Sequence, residues 1–123
     1  ILVKQKNMRV YSIVYEDAAL VSLERFIEYL QLKMEERFSN TGIYGIDEII
    51  ENYRILHSEL RENILGEFER LGKLSIIGTI YSEEGNQRKT RLIFPIRSYS
   101  ITAWCLVDTD TSTLTVESIS IHS

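Results

Sequence analysis

Arg88, Lys89 and Arg91 sit in one short stretch, with Arg97 just beyond Pro95 and Lys73 some way upstream. Cations at that density can grip phosphate or carboxylate oxygens, or stabilise charge that develops as RNA is cleaved. Cleavage would also need a base for the 2′-hydroxyl. His122, with an imidazole side chain, has the right chemistry for it. The plainer reading is a solvated strand surface whose cations pair with acids elsewhere in the chain. His57 falls beside the apolar stripe of a helix, next to Leu56, and reads as a helix-flank residue. Cys105 is the only cysteine. A Cys–His pair stays open, but strand alternation puts Cys105 on the core side as a buried thiol. No His-x-x-x-His or Cys-x-x-Cys spacing and no Gly-rich phosphate loop is present, so neither a metal nor a cofactor is expected.

The elements that must position these residues follow from periodicity. Arg9 to Tyr15 reads as a strand rich in β-formers. From Glu16 to Phe38, Ala19, Leu23, Phe26, Leu30 and Met34 recur at helical steps, with Ala18, Ile27 and Phe38 widening the stripe. Ser39-Asn40-Thr41-Gly42 breaks that helix. A second helix spans about Asp47 to Leu71, with Ile46, Ile49, Ile50, Tyr53, Leu56, Leu60, Ile64, Phe68 and Leu71 as its stripe and Gly72 as its stop. The short connection implies an antiparallel hairpin. Strands are then expected over Leu74–Tyr81, Arg88–Phe94 (ended by Pro95), Ser98–Asp108 and Leu114–Ile121, with turns at Ser82–Asn86 and Thr109–Thr113. Tyr99, Ile101, Ala103, Cys105 and Val107 share one face of the third of these. Trp104 and Leu106 point the other way, where they are either covered by the helices or form a partner groove. The expected class is α+β: an N-terminal strand, an antiparallel helical hairpin and a C-terminal antiparallel β-meander, in the order β-α-α-β-β-β-β.

A chain of 123 residues with 44% apolar and 26% charged residues suits one domain with its own core. Met8 is read as the native start, with residues 1–7 as a tag, linker or upstream segment and residues 8–123 as the domain. No apolar run is long enough to span a bilayer. With one cysteine and no visible signal peptide, a reducing cytoplasm is expected. A net charge of −4 and a pI near 5.2 argue against broad charge-driven binding to nucleic acid. The acids crowd between Glu16 and Glu69 and leave a more basic start to the strand-rich half.

Tyr11-Ser12-Ile13-Val14-Tyr15, followed by Ala19, Leu23, Phe26 and Tyr29-Leu30, resembles the opening strand and helix of the RelE/ParE toxins of bacterial toxin–antitoxin pairs. Thr90-Arg91-Leu92-Ile93, Ser98-Tyr99-Ser100-Ile101, Leu106-Val107-Asp108 and Ile119-Ser120-Ile121-His122 resemble that family's ending. The resemblance implies a growth-inhibiting toxin held inactive by a cognate antitoxin, which would lay a segment along the sheet and the helical hairpin. It departs from the family pattern at Ser22, where Asp is common, and at Ser100, where Arg is common. The second helix is longer than usual. The Arg and the Tyr or Lys that often follow the final His in ribonucleolytic members are missing. These departures and the acidic balance favour a ParE-like member acting on DNA gyrase, with no membrane and no small-molecule substrate. Lys73, Arg88, Lys89, Arg91 and Trp104 would then bind the target. The alternatives are a messenger-RNA endonuclease, ribosome-dependent or free, using Arg91, Arg97, Tyr99 and His122, and a non-toxic interaction module of the same fold.

Overall fold

A computed structural model of the chain describes residues 9–39 and 46–122. The element order is β1 (Ser12–Tyr15), α1 (Asp17–Ser39), α2 (Ile46–Lys73), β2 (Thr79–Glu84), β3 (Gln87–Ile96), β4 (Tyr99–Asp108) and β5 (Thr113–His122). This is the expected α+β order. The strands form one sheet, β1-β5-β4-β3-β2. The three hairpin pairings are antiparallel, and β1 joins the edge parallel to β5. Ion pairs Arg61–Glu24 and Arg54–Glu35 link α2 back to α1 in reverse order, so the two helices run antiparallel.

Both helices cover the same sheet face. Ala19, Leu23 and Ile27 from α1 and Leu60, Ile64, Phe68 and Leu71 from α2 meet Leu92, Phe94, Ile101, Ala103, Cys105, Val107, Leu114 and Val116 in one core. Phe68 is fully buried, edge-on to Phe94 and to Tyr15. Ala18, expected on the α1 stripe, is exposed. On α2 the stripe runs through His57 rather than Leu56: His57 is buried and Leu56 exposed. The 53-57-60-64-68-71 steps keep one helix face inward, and Leu56 sits about 100° round from His57. The side chains of Phe38, Ile46, Ile49 and Ile50, the break at residues 40–42 and the segment 1–7 lie outside the described residues.

Other boundaries differ from expectation as well. Gly72 does not stop α2. The helix continues to Lys73 and closes with Ile76 N–H donating to Leu71 O at 2.9 Å and Ser75 N–H to Gly72 O at 3.1 Å. Ser75 takes φ 60°, so this is a Schellman closure with a serine in the left-handed position. Leu74 to Gly78 are used by that closure and the link beyond it, so β2 starts only at Thr79 and Ser82–Glu84 belong to the strand. Gly72 serves a different end: Tyr11 N–H donates to its carbonyl at 3.0 Å, and a Cβ there would lie 2.7 Å from Tyr11 O. That tie holds Tyr11 to α2, and the first strand is correspondingly shorter than expected. Pro95 does not end β3, which pairs on to Ile96. β2 pairs with β3 only as far as Arg91, so Pro95 lies where β3 has no outer neighbour and its missing N–H costs no ladder bond.

Candidate functional site on the helix-free sheet face

Because side chains alternate, the face turned away from the helices collects Lys89, Arg91 and Ile93 from β3 and Thr102, Trp104 and Leu106 from β4. The register sets Arg91 opposite Trp104, Lys89 opposite Leu106 and Ile93 opposite Thr102. A register shift between Ile80 and Ser82 interrupts the β2 ladder at Tyr81. The Tyr81 ring lies against Trp104 at 5.1 Å, inclined by 64°. The Arg91 guanidinium carbon lies 5.2 Å from the Tyr81 ring centre and 5.9 Å from that of Trp104. Each such contact is worth about 0.5–1 kcal/mol or more once water is excluded. The backbone at Arg91 is shaped by Gly78, whose φ of 94° and missing Cβ let the chain pass over the Arg91 carbonyl, 2.3 Å from where a Cβ would stand.

Arg91 forms no ion pair with any described residue, and its Nε is buried without a hydrogen-bond partner. A guanidinium stacked by rings and spared a carboxylate is poised to accept an anion from outside. The neighbouring apolar surface is open: Ile93 is 55% exposed and Tyr81 51%.

The other expected target-binding residues part company with this pair. Lys89 shares the face but is neutralised by Glu117 of β5. Arg88 alternates to the opposite face and pairs with Glu83 at 3.5 Å. Lys73 is exposed at the end of α2. The nuclease set does not converge. Tyr99 turns to the helix side, edge-on to Phe26 at 5.9 Å. Arg97, in the β3–β4 turn, pairs with Glu59 at 3.2 Å. His122 is paired opposite Ser100, four residues along β4 from Trp104 and two strands across from Arg91, about 16 Å from the Arg91 position by strand rise and spacing. A base must come within hydrogen-bond reach of the group it serves. Tyr81, Gly78 and Ile93 complete the site and were not singled out by the sequence.

Cys105 is fully buried, and burial, reinforced by the nearby Glu117 carboxylate, pushes its thiol up to about 12. It is a core thiol and not a nucleophile. His57 is 5% exposed, with its ring 6.1 Å from that of Tyr53. Burial lowers its pKa from the ordinary 6.5. A depressed folded-state pKa means the unfolded chain binds the proton first. The contribution of His57 to stability is therefore whole above pH 6.5 and is lost as pH falls from there towards the folded value. Denaturant midpoints taken from about pH 7.5 to about pH 5.5 should fall more steeply in the wild type than in His57→Leu. Parallel slopes would refute the assignment.

No helix among the described residues is long and apolar enough to cross a membrane, and no group of His, Cys, Asp and Glu there could hold a metal ion. In comparisons with known proteins, the chain matches no family model, no curated protein and no solved structure.

Proposed function

We propose that this chain acts by gripping another macromolecule through the helix-free face of its sheet, as the toxin of a RelE/ParE-like toxin–antitoxin pair. The observation that carries the reading is Arg91, set against the rings of both Tyr81 and Trp104 and paired with no carboxylate among the described residues, on an open face with exposed apolar neighbours. Stacked Arg and Trp at the centre of a patch is the composition of binding hot spots. The β-α-α-β-β-β-β order, which the resemblance implied, supports the same reading. DNA gyrase is the favoured target, and a cognate antitoxin would silence the protein by covering this face. Messenger-RNA cleavage is the weaker reading, because Arg91, Tyr99, Arg97 and His122 are spread over two faces and a turn. The test is induction of residues 8–123 in bacteria. Growth should slow, and co-expression of the small protein encoded next to it should restore growth. Normal growth at high levels of folded protein would contradict the proposal.

A further inference from the structure

β2 stops short, and the strand beside it does not. β2 pairs with β3 only as far as Thr79 opposite Arg91, whereas β3 runs on to Ile96. Gly78 tells which way the backbone groups of β3 face beyond that point. A Cβ on Gly78 would lie 2.3 Å from the Arg91 carbonyl oxygen, so that carbonyl is turned to the β2 side. In an antiparallel sheet the N–H and C=O of one residue point the same way, and the direction alternates along the strand. Ile93 N–H, Ile93 C=O and Pro95 C=O therefore face outward too, past the end of β2. None of the three has a backbone partner among the described residues. Ile93 is 55% exposed and Pro95 is exposed beside it, so this stretch of the sheet edge stands open. Free backbone groups on an edge are a template for an incoming strand. Pro95 withholds one donor, and the β3–β4 turn follows at Arg97 and Ser98, so only a short strand fits.

The charge beside this edge selects the occupant. Arg91 lies two residues from Ile93 on the same face of β3 and forms no ion pair with any described residue. Only its Nε is buried without a partner, so its two terminal nitrogens are open. A residue placed opposite Ile93 shares that face and lies diagonally from Arg91, within reach of a long side chain. We propose that the outer edge of β3 at Ile93–Pro95 takes up an extended acidic peptide segment as a short antiparallel strand, with a glutamate opposite Ile93 meeting Arg91. In that register the glutamate N–H donates to Ile93 O, and its C=O accepts from Ile93 N–H. The peptide residue opposite Pro95 donates to Pro95 O. This inference rests on the reading of Arg91 as the anchor for a macromolecular partner, and adds the edge along which that partner lies.

The test follows backbone amides of the full chain by NMR. In the free chain the Ile93 amide should exchange with solvent quickly, while Leu92 and Phe94, whose N–H groups face β4, are protected. Titration with the peptide acetyl-Thr-Val-Glu-Thr-amide should then shift Ile93 and its neighbours and slow Ile93 exchange. A peptide with glutamine for glutamate should bind roughly three- to fivefold more weakly. One methylated on the glutamate nitrogen should lose at least about fivefold, because the donor to Ile93 O is gone. Arg91→Gln should erase the difference between the glutamate and glutamine peptides. The comparison of the three peptides is made on the wild type, so it holds even if the variant misfolds. A protected Ile93 amide in the free chain, no shifts at tens of millimolar peptide, or equal binding of the methylated peptide would overturn the proposal. The peptide titration and the growth assay fail separately. A chain that slows growth but ignores the peptide loses only the strand site, and one that binds the peptide but leaves growth normal loses only the toxin reading.

Discussion

Arg91→Ala is expected to abolish growth inhibition while leaving the protein folded. Truncating a stacked, central Arg in an interface commonly costs about 2–4 kcal/mol, which is roughly 30- to 1,000-fold in affinity. The fold should barely register the loss. Arg91 anchors no ion pair among the described residues, and removing it also removes a buried Nε that has no partner. What disappears is the stack with Tyr81 and Trp104 and the free guanidinium edge. Arg91→Lys should rescue poorly, because an ammonium is a point charge without a planar face to lie against the two rings. Growth curves and denaturant melts of the three proteins check this directly. An Arg91→Ala protein that still inhibits growth at equal expression would remove the residue from the site.

The second large effect concerns stability and sits at Gly72. A methyl group there would meet Tyr11 O at 2.7 Å and Ile13 Cδ1 at 2.8 Å. The first contact is backbone and cannot swing aside. Relief would push β1 off α2 and weaken the Tyr11 N–H to Gly72 O bond. Alanine gains about 1 kcal/mol in helix propensity over glycine. Overpacking costs about 1–3 kcal/mol and the lost hydrogen bond about 1 kcal/mol more. Gly72→Ala should therefore destabilise by roughly 1–3 kcal/mol. Gly66, on the same helix, is the control, because a Cβ there meets nothing within 4 Å. Gly66→Ala should stabilise by about 0.5–1 kcal/mol. Denaturant midpoints that move in the same direction for both variants would contradict the close approach of β1 and α2.

Long-range order was legible where one period ran over many residues. The stripes of both helices and the alternation of Tyr99 to Val107 each point to one face, and the core follows them. Misreadings came where local chemistry was outvoted by tertiary contact. Gly72 looks like a helix stop, but the glycine is there for the backbone of Tyr11, and Ser75 takes the left-handed position instead. Leu74, Ile76 and Ile77 have strand composition, yet the Schellman closure and the link after it hold them out of the sheet. Pro95 ends a strand only if its N–H would have had a partner, and that depends on where β2 stops. Leu56 and His57 are adjacent and differ by one helical step. Hydropathy chooses the leucine, whereas the packing of α2 over the sheet chooses the histidine.

The site shows the same division. Arg91 and Trp104 were each visible as residues of interest. Their pairing depends on hairpin register, which the two-residue β3–β4 turn sets. Tyr81 reads as an ordinary strand residue until the register shift at Ile80 and Ser82 is known, and only then does its ring reach Trp104. Lys89 and Arg91 lie on one strand with the same parity and look equivalent, but Glu117 on β5 neutralises only the first.

The most direct test of the central claim is the supercoiling of relaxed plasmid DNA by gyrase in the presence of the purified protein. The account predicts that the wild type blocks supercoiling, that Arg91→Ala does not, and that messenger RNA incubated with the same wild-type preparation, with and without ribosomes, stays intact. Unimpeded supercoiling at a large molar excess of wild type, together with messenger-RNA cleavage that Arg91→Ala abolishes, would contradict it.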